Sequence, residues 1–316
     1  MIHILFTGGT ISMQRDATAG GNLPAHSGEA LMRLAPGVER IAPLRIEDWA
    51  RLPACHFDQA RLWGLRQRVR ELAASGEVSG IVITHGTDIL EETAYLLDRT
   101  LDPGIPVAIT GAMRTSSDEG WDGPSNLRDA VTVAASAASA GRGTMVVFAG
   151  KVFAGRTATK THATDPDAFS APHGGPIGRV ADGAVRYPSE PTRSGVPLEP
   201  SSLHARIAHV PTVVGDQGAM LDLARADHDG VVVEAFGSGN MPPGAVPAVR
   251  RWIDEGKPVV LASRCRWGQV TPLYAFEGGG AGTTAMGAIP AGPRTPSQAR
   301  MELAIALSAG VPYGSS

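Results

Sequence analysis

Short apolar runs that alternate with amphipathic stretches constrain this chain more than any other feature. The runs at 2–6, 80–84, 106–110 and 144–149 each suit one buried strand and are too short for an ordinary helix. Between them the helical period takes over. Asp58 is placed to cap a helix with Leu62, Leu65, Val69 and Leu72 on one face. Further helices are predicted from about Asp88 to Leu101 and from Pro124 to Ser139. Such alternation builds a largely parallel sheet, because parallel neighbours need a helix-length crossover. It resumes late in the chain, with strands at 230–235 and 258–263 and helices at 243–255 and 296–308. Residues 187–204 read YPSEPTRSGVPLEPSSLH, with four prolines and no apolar period. The expected fold class is therefore α/β. A larger N-terminal α/β domain with a mostly parallel sheet spans 1–190, a linker 191–205, and a smaller C-terminal α/β domain 206–316.

Charge and composition narrow the function classes. The chain carries 28 basic against 31 acidic residues, a net charge of −3 and a sequence pI near 6.3. That balance gives no basic face for nucleic acid. No apolar run approaches the ~20 residues of a membrane span. No Lys or Arg precedes the first apolar run, so a secretory leader is not expected and a cytoplasmic location is. Two cysteines, Cys55 and Cys265, rule out a disulfide scaffold. Nine scattered histidines without HExxH give no metal site. Neither GxxxxGK[ST] nor GxGxxG occurs after the first strand, so no cofactor is expected. A small molecule remains as the expected partner.

In open α/β sheets ligands sit at the carboxyl ends of the strands, where three polar clusters fall. Thr7-Gly8-Gly9-Thr10-Ile11 turns sharply and presents the Thr10 hydroxyl. His85-Gly86-Thr87-Asp88 follows a buried strand, with Glu91 and Glu92 opening the next helix. Thr87 or Asp88 would serve equally as that helix's N-cap. Gly155–Asp165 surrounds Lys160 with threonines. Lysine occurs only at 151, 160 and 257 in a chain that otherwise uses arginine, and only an amine can give up its proton near neutrality. The segment 13–27 is rich in Gly, Ala, Thr and Asn and lacks aromatics, a composition that suits a mobile lid over the strand-end site and an ordinary surface excursion about equally.

These clusters resemble the bacterial-type L-asparaginases. The matching residues are TGGTI at 7–11, ITHGTDILEETAYLLD at 83–98, PVAITGAMR at 106–114, DGPSNLRDAV at 122–131, GRTATKTHATD at 155–165 and GSGN at 237–240. The resemblance implies hydrolysis of L-asparagine, with L-glutamine a weaker substrate, through an acyl-enzyme on Thr10. It implies Lys160 and Thr87 as the proton-handling pair and Asp88 as holder of the substrate α-ammonium. A homodimer or homotetramer is implied, with Glu277 matching an acidic residue contributed by a neighbouring subunit. Two departures stand out. The family's lid tyrosine is missing from 13–27, where Asn22 and His26 are the nearest polar residues. Ala54, followed by Cys55, occupies the place of a serine beside the substrate carboxylate, leaving backbone amides to bind it. The alternatives are a non-catalytic or weakly active amino-acid-binding homologue and an asparaginase-like amidotransferase subunit.

Overall fold

Alternate residues of a strand face opposite sides of its sheet, and in the computed structural model, which describes residues 1–191 and 195–315, both sides are covered. The chain divides into two units, Met1–Pro197 and Leu198–Ser315. In the first, β1 (Ile2–Gly8), β4 (Leu44–Leu52), β5 (Gly80–Thr84), β6 (Val107–Thr110) and β7 (Thr144–Phe148) run parallel in the order β4-β1-β5-β6-β7. Leu5, Ile81, Ile83, Ile109 and Val146 pack on one face with α2 (Gln59–Ala74) and α3 (Leu90–Thr100). Their neighbours Ile4, Phe6, Val82, Ala108 and Val147 pack on the other with α1 (Gly28–Leu34) and α4 (Gly123–Ala135). Asp58 caps α2 as expected, accepting from Arg61 N–H at 2.8 Å.

Three strands that the sequence pattern did not disclose extend this sheet antiparallel: β8 (Lys151–Ala154), β11 (Gly178–Ala181) and β12 (Ala184–Arg186). The helix expected over 124–139 ends at Ala135. Ser136 turns extended, and Ala137–Ser139 forms a separate 3-10 turn, because 136–139 carries no large apolar side chain to hold it on the sheet. Within the segment 13–27, β2 (Met13–Asp16) pairs with β3 (Gly21–Pro24) as a β-hairpin. Lys160 lies in a two-residue strand, β9 (Thr159–Lys160), paired with β10 (Phe169–Ser170).

In the second unit β13 (Ile207–Pro211), β14 (Gly230–Ala235), β15 (Val259–Ser263) and β16 (Ile289–Pro290) form a parallel sheet. Val231, Val233 and Leu261 pack with Leu221 of α5 (Ala219–Arg225) and Trp252 of α6 (Val246–Asp254). The buried indole donates to Leu221 O at 2.9 Å. A short helix, α7 (Gly280–Ala285), precedes β16, and α8 (Pro296–Ser308) closes the unit behind a Thr295–Gln298 capping box. Of the expected linker 191–205, residues 192–194 lie outside the described residues, and 195–205 contain no helix or strand.

Candidate functional site

The close approach of three backbones builds the site. Gly9, between β1 and Thr10, has φ 79° and ψ −179°, a region open essentially only to glycine. A Cβ on Gly9 would stand 2.3 Å from Gly86 Cα, and one on Gly86 would stand 2.6 Å from Ala54 Cβ. The residues that precede Thr10, Thr87 and Cys55 therefore touch with no room for a side chain on either glycine. Thr10 opens a single 3-10 turn, Thr10–Ser12, and is partly exposed. Its hydroxyl has no hydrogen-bond partner among the described residues.

Neither Thr87 nor Asp88 caps α3. The N-cap position is Ile89, without a side-chain cap. Both polar side chains turn instead to Lys160, whose Nζ donates to Thr87 Oγ1 at 2.9 Å and to Asp88 Oδ1 at 3.0 Å. Thr87 is buried, while the Asp88 side chain is 64% exposed and its second oxygen is left for another cation. The backbone of Lys160 is gripped as well, since its N–H donates to Glu91 Oε2 at 2.7 Å. Thr159 Oγ1 donates to the same oxygen.

His85 lies fully buried beneath this cluster, tilted against the Phe57 ring at 4.9 Å between centroids. Burial pushes its pKa down to about 4, against the smaller opposing effect of a hydrogen bond to Gly86. The ring is therefore neutral near pH 7, with Nδ1 donating to Gly86 O at 2.9 Å. A trans peptide points its N–H opposite its C=O. With the Gly86 carbonyl turned to the histidine, the Thr87 N–H points away from the ring.

The hairpin β2–β3 is anchored beside this centre. Arg15 N–H donates to Ser117 Oγ at 3.0 Å, and Ser116 Oγ donates to Met13 O at 3.1 Å. The His26 ring lies 2.8 Å from Ser116 Oγ, so it is occupied in fastening the hairpin, and Asn22 is exposed. Of the expected site residues, the fold unites Thr87, Asp88 and Lys160 by hydrogen bonds. It brings the backbones flanking Thr10 and Ala54 against Gly86. Ala54 is buried, Cys55 is exposed, and Glu277 is an exposed residue of the second unit. The sequence reading noticed Glu91 only as a helix-opening acid. The available signal was its place three residues beyond Asp88, at the start of the helix that follows the Thr87-Asp88 loop. Among the described residues no group of three His, Cys, Asp or Glu side chains is arranged to hold a metal ion, and no helix is long and apolar enough to cross a membrane.

Known proteins are similar to this chain over nearly its whole length. Residues 1–193 match the family model described as asparaginase, N-terminal, and residues 206–313 match the glutaminase/asparaginase C-terminal domain. A probable L-asparaginase of Deinococcus radiodurans is 38% identical over 98% of this chain and 93% of its own. L-asparaginase 2 of Escherichia coli is 33% identical over 97% and 88%. A crystal structure of a probable cytoplasmic L-asparaginase from Campylobacter jejuni superposes with a TM-score of 0.85 at 28% identity, covering 97% of this chain and 94% of that one.

Proposed function

The chain belongs to the asparaginase family, and from that premise we propose that it hydrolyses L-asparagine to L-aspartate and ammonia through an ester on Thr10. L-Glutamine is a weaker substrate in this reading. The observation that carries it is Lys160 Nζ shared between Thr87 Oγ1 and Asp88 Oδ1, on a backbone packed against the Thr10 turn.

The Thr10 hydroxyl attacks the side-chain amide carbon and gives up its proton, while the carbonyl electrons move onto oxygen. The Thr87 N–H faces that oxyanion. As the intermediate collapses, the C–N bond breaks, and the nitrogen leaves as ammonia after taking a proton. Water then attacks the ester carbon, the C–O bond to Thr10 breaks, and the hydroxyl returns with L-aspartate. Thr87 and Lys160 move the protons in both halves. The uncommitted oxygen of Asp88 receives the substrate α-ammonium in a charge-assisted hydrogen bond. Backbone amides at Ala54 and Cys55 receive the α-carboxylate. Glu277 completes the pocket of a neighbouring subunit in a homodimer or homotetramer, and the enzyme works in the cytoplasm. The domain division into 1–190 and 206–316, joined by the 191–205 linker, belongs to the same reading.

Ammonia release from L-asparagine and L-glutamine tests the activity, and Thr10→Ala tests the nucleophile. The variant should keep its thermal melt and lose kcat by at least about 100-fold. More than about a tenth of wild-type kcat in Thr10→Ala would remove Thr10 from the role.

A further inference from the structure

A two-residue strand is a weak platform for a residue whose amine must sit within hydrogen-bond reach of a hydroxyl. β9 pairs on one side only, with β10, where Thr161 N–H reaches Ala168 O at 2.8 Å. Among the described residues the other side of β9 has no neighbouring strand, and there the buried Glu91 carboxylate accepts the Lys160 N–H and the Thr159 hydroxyl. We propose that Glu91 is a positioning residue for catalysis, a side-chain substitute for a missing strand that fixes the register and reach of Lys160.

Three observations carry this. Glu91 Oε2 binds the backbone of Lys160 at 2.7 Å, while Thr87 and Asp88, a few residues earlier in the chain, bind its Nζ at 2.9 and 3.0 Å. One short segment, 87–91, thus holds the lysine at both ends of its flexible stem, and α3 continues directly from it into the core. A one-residue slip would flip a strand side chain to the opposite face, so the grip on the Lys160 N–H decides whether the amine faces Thr87 at all. Finally, the carboxylate lies on the first turn of α3, where the helix dipole favours an anion.

This inference rests on the reading of Lys160 as a proton-transfer group, so Lys160→Met is measured beside it. Glu91→Met keeps length and apolar packing but removes both acceptors. Glu91→Gln keeps a carbonyl oxygen able to take the Lys160 N–H. Steady-state hydrolysis of L-asparagine is followed across roughly pH 6–10, with thermal melts as a fold control. Glu91→Met should lose kcat by about 10–100-fold, the scale of a 1 Å misplacement. Its KM should stay within about threefold, because the substrate-binding oxygen of Asp88 stays in place. The limb of the pH profile that disappears in Lys160→Met should weaken or shift in Glu91→Met, and Glu91→Gln should restore most of the rate. An inactive Lys160→Met together with a Glu91→Met of near-normal kcat and pH profile would overturn the positioning role alone. Normal turnover in Lys160→Met would overturn both readings. A loss in Glu91→Met that tracks only melting temperature, with an unchanged pH profile, would make Glu91 merely structural.

Discussion

Replacing Gly9 by alanine tests whether the Thr10 turn and the Thr87 loop must touch for the enzyme to work. The perturbation has two parts. Alanine would have to adopt φ 79° and ψ −179°, which costs about 1–3 kcal/mol for a residue with a Cβ. Its Cβ would stand 2.3 Å from Gly86 Cα and 2.4 Å from Gly86 N. Neither atom is at the end of a flexible side chain, so the overlap is relieved only by parting the two backbones by about 1 Å, at a further cost of about 1–3 kcal/mol. A total of at least about 2 kcal/mol lowers Tm by some 4 °C or more in a unit of this size. The same 1 Å separates the nucleophile from the proton-handling pair, so kcat should fall about 100-fold. Ammonia release under saturating L-asparagine gives kcat, and a thermal melt gives the stability. A variant within about threefold of wild type and within about 2 °C of its Tm would refute the idea that these loops meet to assemble the centre.

Lys160→Arg keeps a positive charge, but a guanidinium holds its proton too tightly to take part in proton transfer. It should lose kcat nearly as completely as Lys160→Met, and a near-normal rate would make Lys160 an electrostatic residue only. Asp129 titrates near 6 instead of 3.8, pushed up by burial and pulled back by Arg128 and the Gly150 N–H. Its folded pKa is raised, so the stability it contributes is full below about pH 4 and lost as pH rises through 6. Asp129→Asn should therefore stabilise the protein by about 1–2 kcal/mol near pH 8 and by almost nothing near pH 4. Urea unfolding at both pH values checks this, and an equal effect at the two would refute it.

The central strands were legible because Ile2–Phe6 and Gly80–Thr84 are mostly apolar, each with one buried polar residue (His3, Thr84), and are buried on both faces, which sets them apart from their flanks. Strands β8 and β11 escaped because KVFA and GRVA carry charge and alternate weakly, as befits positions near the sheet's end. The hairpin escaped because MQRD and GNLP lack β-branched residues, and its anchors, Ser116 and Ser117, lie about a hundred residues away. Thr87 and Asp88 were visible as polar residues at a strand end. Whether they would cap α3 or face Lys160 depended on a partner 72 residues on, which no local pattern encodes. The grip of Glu91 on β9 is equally non-local.

The eight-stranded sheet has an open end at β12, and an unpaired strand invites any passing extended chain to join it. At that end Arg179 and Arg186 are direct cross-strand partners, both exposed, with no partner among the described residues to neutralise either. Like charges placed opposite one another weaken the pairing slightly. A newcomer docking on β12 would have to bring its own side chains alongside that doubled positive charge, on a strand only three residues long. The small loss in local stability thus comes with an edge that is unfavourable for a further strand to join. Replacing the two arginines with valine or threonine would make this rim the place where aggregation begins.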